Sequence, residues 1–380
     1  MDVHFTPEQE MFRDVVRQFR EREISPEFVR QCDATHTAPT DLFARLGEQG
    51  WLGINIAEEH GGAGAGATEV AILLEELGRG FLDLAFWVFR QVTWGGLAIS
   101  HAGSDALKAE LLPRVATGEI SICFALTEPD SGSDAAALKL RAVDDGDAYV
   151  LNGEKVFTSG FKVSDIVLVA TRTSSEGAKQ HGITNFLVDT DSPGLEWSPI
   201  ETLGHWPLGT AMLSFQDVRV PKERILGTVD HAWSDLGEYL RYERLCLSAA
   251  RTGAAKAALA DAIAYATQRE QFGRPISKFQ AVSHRLADMQ TMVEISEMLV
   301  YRYAARLDAG LATVRDAAIL KLYACEAYKS VADEGLQVLG GYGYTMEYDL
   351  QRHFRDSRLG VIGAGTSDIQ RNIIAKTMGL

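Results

Sequence analysis

The last third of the chain carries three apolar patterns of helical period: Tyr239–Gln268, Phe279–Leu307 and Val314–Leu339. Each is far longer than an ordinary helix. Helices of that length must bury a stripe against one another, and the short connections between them predict an antiparallel four-helix bundle over residues 229–380. Upstream, from 121 to 228, the period falls towards two. Tyr149–Leu151, Lys155–Thr158, Ile166–Thr171, Asn185–Val188, Met212–Phe215 and Val218–Val220 read as strands, joined by turn-rich segments such as Asp144–Asp147 and Ser192–Gly194. A central antiparallel β domain is expected there. Residues 1–120 read as helical again. Thr6 is placed as an N-cap with Pro7 in the first turn, and Phe12, Val15, Val16 and Phe19 follow at helical spacing. Leu42–Leu52 and Glu69–Leu77 continue the pattern, with a loop from Glu58 to Ala67. Its glycines lack the preceding strand and the spacing of a phosphate cradle. The fold class is therefore α+β: an N-terminal α-helical domain (1–120), a central antiparallel β domain (121–228) and a C-terminal four-helix bundle (229–380).

Composition narrows the function. The formal net charge of −15 disfavours nucleic acid and anionic membrane surfaces as partners. A polyanionic ligand would need a local cluster of Arg, Lys and N–H donors. No apolar run approaches a membrane span. The start, MDVHFTPEQEMF, has neither the basic and apolar regions of a secretory signal nor the Arg- and Ser-rich character of a transit peptide. Cys32, Cys123, Cys246 and Cys325 lie far apart without a CxxC, and read as reduced thiols of a cytoplasmic protein. None of the nine histidines has metal-ligand spacing, so no metal is expected.

Four short motifs carry the chemistry. In SICFALTEPDSGSD (121–134) an apolar run ends in a polar turn rich in hydroxyls and small residues. Its acids Glu128, Asp130 and Asp134 would repel a phosphate, so an anion there should meet N–H groups and hydroxyls. GEKVFTSG (153–160) follows, then REQFGRPISKFQ (269–280) at the end of a long helical pattern, and GAGTSDIQR (363–371) near the C-terminus. Each is weak alone. In this order, over essentially the whole chain, they resemble the acyl-CoA dehydrogenase family of flavoproteins. One departure stands out: Ala364 occupies the place where many members carry the catalytic Glu.

Glu243 is the candidate replacement. On a helix its same-face neighbours are Tyr239, Leu240, Cys246, Leu247 and Ala250, whereas Arg241 and Ser248, with Arg244 and Arg251 towards the flank, lie on the other side. A carboxyl set in an apolar stripe has its charged form disfavoured and its pKa raised, as a base working near neutral pH requires. The residues alone also allow a Glu paired with Arg244 or Arg241 at the stripe's edge. The resemblance favours the base, because isovaleryl-CoA dehydrogenase and crotonobetainyl-CoA reductase are similar in carrying it on this helix, and here the pair is Glu243-Arg244.

By the same resemblance the cofactor is FAD. Leu126 and Thr127 would meet the isoalloxazine edge, and Ser133 the cofactor phosphates or the CoA. Phe157 stands where most members have Trp, and Ser159 where Thr is usual beside N5. Arg269, Phe272, Gln280 and the Gln337–Gly341 segment would form a cross-subunit pocket for the rest of the dinucleotide. Thr366 or Ser367 would cap the last helix, with Asp368 following. Arg244, Ala364, Gly365 and Ser133 would contact substrate, the Ala364 N–H polarising the thioester carbonyl. The resemblance further implies an acyl-CoA substrate, an electron-transfer flavoprotein as acceptor, a place in fatty acid metabolism, and a homotetramer built as a dimer of dimers or a mixed assembly with a related chain. Alternatives on the same scaffold are a carrier-protein thioester substrate, enoyl-CoA reduction, or a non-catalytic subunit. Trp87, Phe89, Arg90, Gln91 and Trp94 fall in the region that shapes the acyl pocket of relatives, and polar Arg90 and Gln91 point to a short or functionalised acyl group.

Overall fold

The computed structural model describes residues 5–380; Met1–His4, the start of the sequence's first helical region, lie outside the described residues. Seven helices come first: α1 (Pro7–Glu23), α2 (Pro26–Thr35), α3 (Thr40–Glu48), α4 (Ala67–Gly80), α5 (Leu82–Arg90), α6 (Ala98–Ala102) and α7 (Asp105–Thr117). Thr6 caps α1 as expected: its hydroxyl accepts from the Gln9 N–H at 3.3 Å, and the Gln9 side chain accepts from the Thr6 N–H at 3.0 Å. Between α5 and α6 the backbone widens into a π-helical stretch, Gln91–Leu97.

The middle of the chain forms β1 (Ile122–Ala125), β2 (Arg141–Asp145), β3 (Ala148–Ser159), β4 (Ile166–Arg172), β5 (Ile183–Asp189), β6 (Leu195–Ile200), β7 (Thr210–Pro221) and β8 (Ile225–Leu226). Their order is β6-β7-β3-β2-β4-β5-β8, with β1 beside β4. The long ladders are antiparallel; β1 and a single pair of β2 meet β4 in parallel. Two pairs of short predicted strands are each one long strand. In β3 the register slips at Gly153, whose φ of +141° suits glycine alone, so the alternation breaks while the strand continues.

Five helices close the chain: α8 (Ala232–Gln268), α9 (Gln280–Asp308), α10 (Val314–Leu339), α11 (Leu350–Gly360) and α12 (Ser367–Thr377). A small hairpin, Glu270–Gln271 with Arg274–Pro275, separates α8 from α9. Helix α8 is the axis of the molecule and shares one apolar core with α4, α5, α9 and α10. Gly78 of α4 and Gly253 of α8 let those backbones cross closely: a Cβ on either would strike the carbonyl of Ala250 or Glu75. Because protein surrounds the middle of α8, residues 244–255, the expected polar side is not solvated there. Arg244, Ser248 and Arg251 are all buried. Over that stretch the helix has no water-facing side to which the two-faced reading of its sequence could apply.

Candidate active site

Glu243 sits on the first half of α8 with its side chain half-buried. Burial pushes its pKa up to about 7, against the opposing fields of Arg244, Lys321 and Arg251. Lys321 is on α10 and fully buried. Its ammonium donates a 2.7 Å hydrogen bond to the Gly365 carbonyl, and burial lowers its pKa to about 8. One lysine therefore bonds the candidate carbonyl-binding turn while its charge acts on the candidate base. Gln370 supports the same turn, its amide donating to the carbonyls of Ala364 (3.2 Å) and Gly365 (2.9 Å). Ala364 has φ +54°, an uncommon conformation for a residue with a Cβ. These bonds hold it there and leave both carbonyls turned away into the protein. Thr366, rather than Ser367, caps α12, accepting from the Ile369 N–H at 3.2 Å; Asp368 is exposed in the first turn.

The β-domain residues form a second group. Lys155 is buried and donates to the Leu126 carbonyl (2.9 Å) and the Glu128 carboxylate (2.8 Å), and the Val156 N–H donates to the Thr127 carbonyl (2.9 Å). Strand β3 thus fixes the turn after β1 and presents half-buried Leu126 and Thr127 beside Phe157, which is 63% exposed with φ +59°. An aromatic ring displayed on a strained backbone beside a polar turn fits a flat apolar ring as partner. The Ser159 hydroxyl lies 3.1 Å from that of Thr210. Ser133 is exposed at the tip of the turn.

The expected repulsion from this turn's acids needs correction, because each has a cation. Glu128 is neutralised by Lys155 and also accepts from the Lys139 and Leu140 N–H groups, Asp130 meets Lys139 at 3.3 Å, and Asp134 meets Lys179 at 2.6 Å. The pocket-lining expectation for Gln91 changes too. Its amide donates to the Val115 and Ile120 carbonyls at 2.9 and 2.7 Å, tying the end of α7 to β1. Trp87 donates to the Ser121 hydroxyl at 2.8 Å, and Trp94 stacks on Phe124 at 4.0 Å. Arg90 is buried and donates to the Ser159 carbonyl at 3.0 Å, behind the hydroxyl pair.

The remaining predicted residues lie elsewhere. Arg269 is 26 residues beyond Glu243, about 39 Å along the helix rise. Arg269, Phe272, Gln280, Gln337 and Gly341 are all exposed, and Phe272, at 93%, stands out on the hairpin with φ +51°. Arg269 lies over the Tyr342 ring at 5.6 Å. One chain does not bring this group to Glu243. The sequence reading passes over Lys321, although the signal was present: it interrupts an apolar stripe, Ala317, Ala318, Leu320, Ala324 and Cys325, as Glu243 does on α8.

Comparison with known proteins agrees with the arrangement. Residues 6–119, 123–218 and 233–379 match the N-terminal, middle and C-terminal domains of acyl-CoA dehydrogenase. The chain is 35% identical to the 3-(aryl)acrylate reductase of Clostridium sporogenes over 99% of this chain and 100% of that protein. It is 33% identical to subunit CarC of the caffeyl-CoA reductase-Etf complex of Acetobacterium woodii, covering 98% of each. The structure of butyryl-CoA dehydrogenase from Megasphaera elsdenii superposes with a TM-score of 0.95 at 32% identity over the whole of both chains. The chain belongs to the acyl-CoA dehydrogenase family and is an FAD-dependent oxidoreductase of that fold.

Proposed function

We propose that this enzyme interconverts an acyl-CoA and its trans-2-enoyl-CoA, with Glu243 as the base that removes the α-proton. The observation that carries this is the placement of Glu243: a half-buried carboxyl with its pKa raised to about 7, in the field of Lys321, whose ammonium bonds the turn at Ala364–Gly365. At pH 7 such a group is divided between base and acid, which suits proton transfer in either direction. Arg244 adjoins it and would help hold the thioester. The Ala364 N–H would polarise the thioester oxygen, a contact that needs no side chain. FAD, when bound, supplies a hydride acceptor; Leu126, Thr127, Phe157 and Ser159 would hold its ring, with Ser133, Thr366 and Asp368 near its polar parts. Arg269, Phe272, Gln280, Gln337 and Gly341 would hold the remainder from a second copy of the chain, which supports a homo-oligomer of at least two. We divide the chain into domains at 120/121 and 228/229. An electron-transfer flavoprotein is the proposed redox partner and the cytoplasm the proposed compartment.

The reverse direction, enoyl-CoA reduction with Glu243 as the proton donor, is favoured by the two relatives named as reductases. Both directions use the same residue, so one test serves. Glu243→Gln should retain flavin while its reduction by substrate, or its reoxidation by enoyl-CoA, slows by about 10³-fold or more. Unchanged rates in a flavin-loaded variant would remove Glu243 from the mechanism.

A further inference from the structure

We propose that Arg251 reads the far end of the substrate, and that the enzyme prefers a short acyl thioester bearing a second, distal carboxylate. This rests on the thioester reading above and specifies which thioester.

Buried Arg20 meets Glu21 at 2.8 Å and Glu76 at 3.5 Å, and half-buried Arg355 meets Asp33 at 2.6 Å. Buried Arg90 and Arg244 have no ion pair among the described residues, and Arg90 keeps one bond, to the Ser159 carbonyl. Arg251, 2% exposed, forms no ion pair among the described residues. Its Nε has no hydrogen-bond partner, and its Nη1 reaches only the Leu247 carbonyl, at a long 3.4 Å. Its surroundings on each side are cationic, apolar or already engaged. The guanidinium lies 4.8 Å over the Phe86 ring, and Phe86 in turn stacks at 4.6 Å on His205. Asp83 and Asp356 are engaged with His205, the first through its ring and the second through its backbone N–H, and neither pairs with Arg251. From α11, Gly360 supplies no side chain, and a Cβ there would come within 2.8 Å of Nε. Towards the bundle lie Lys321 and Arg244, both buried and neither in an ion pair among the described residues. Arg251 also acts on Glu243, whose own raised pKa leaves it partly neutral.

A chain with fifteen excess negative charges thus keeps three cations buried around one carboxyl. Burying charge without a partner is costly, and an arginine fork is matched best by a carboxylate. The thioester carbonyl is neutral, and the charges of CoA reside on its phosphates, away from the acyl end. The missing anion therefore belongs to the acyl group. Arg251 follows Glu243 by eight residues, but its guanidinium turns back to the level of Leu247, four residues or about 6 Å along the helix from the base. With the α-carbon at Glu243, a short chain spans that distance.

The test compares succinyl-, glutaryl- and adipoyl-CoA with butyryl-, pentanoyl- and hexanoyl-CoA. Each is assayed by anaerobic flavin bleaching and steady-state dye reduction on wild type, Arg251→Met and Arg251→Lys. Wild type should favour one dicarboxylyl-CoA over its neutral counterpart by about 100-fold or more in kcat/KM. That ratio should collapse in Arg251→Met, mainly through KM, and recover in part in Arg251→Lys. The inference is overturned if wild type uses the neutral chains as well, or if Arg251→Met slows both series alike, which would assign the charge to the reaction itself. Should Arg251→Met lose its flavin, the wild-type ratio and Arg251→Lys decide. If no thioester of either series bleaches the flavin while the enzyme stays loaded with FAD, the failure lies with the thioester reading and takes this inference with it.

Discussion

The two ends of α8 handle charge in opposite ways. Around Glu243, charged groups are enclosed and few, and their pKa values move: the carboxyl rises to about 7 and Lys321 falls to about 8. Around Arg269 the charges and rings are exposed, and Phe272 projects into solvent. At the first end burial shifts the groups. At the second an apolar ring is left exposed, which under the proposed function a second copy of the chain would cover. On that proposal one helix carries a site that depends on the fold and another that depends on assembly.

The largest expected effect on this contrast is that of Glu243→Gln, about 10³-fold or more in flavin reduction with flavin content intact. The matching change at the other end, Phe272→Ala with Arg269→Met, should do the reverse. Flavin occupancy falls about tenfold or more on dilution, while the fraction that keeps flavin is reduced at the wild-type rate. Absorbance of the purified variants at several concentrations checks this, and a slow flavin-loaded fraction would break the division.

Next in size is Gly160→Ala. Gly160 has φ +72°, and a Cβ there would collide with the Arg90 guanidinium, which is itself pinned to the Ser159 carbonyl. Overpacking and backbone strain together should cost about 2–4 kcal/mol, seen as a lower denaturant midpoint, with part restored by adding Arg90→Met. A neutral outcome would mean that Arg90 is free to move.

The smallest effect is a displacement in pH. A base with its pKa near 7 gives a rate of α-proton removal that rises with pH through that value. Lys321 lowers the pKa of Glu243, so Lys321→Met should move the rising limb to higher pH. An unmoved limb would show that Lys321 acts through the Gly365 carbonyl alone.

How much of this was legible follows from what each residue touches. The bounds of α10, Val314–Leu339, agree between pattern and structure, because a helix facing a core on one side writes that side into its sequence. The middle of α8 obscures the same signal, since protein on every side there lets Arg244 and Arg251 be buried where the pattern suggests solvent. Glu243 is visible as a carboxyl among apolar neighbours, but the sequence alone also allows a Glu paired at the stripe's edge, and it is the family resemblance that selects it as the candidate base. Gln91 misled because an amide that satisfies three backbone groups of a distant loop looks, in sequence, like one that lines a pocket. Strands β2 and β6 went unread because both are exposed along most of their length, so neither shows an alternation of buried and exposed residues. The acids after β1 were misjudged because Lys155, Lys139 and Lys179 reach them only once the sheet and its loops have formed.

His205 gathers three distant parts of the chain. Its ring Nδ1 lies 3.3 Å from the Asp83 carboxylate of α5, 122 positions away, and its backbone N–H donates to the Asp356 carboxylate of α11, 151 positions away, at 2.8 Å. Burial disfavours the imidazolium, but the two carboxylates outweigh that and raise its pKa. Contacts so remote along the chain close late in folding, after the separate pieces have found their own shapes. The imidazole thus acts as a latch: heating should release the helical and sheet portions together, in a single step, instead of peeling one away while the other stands.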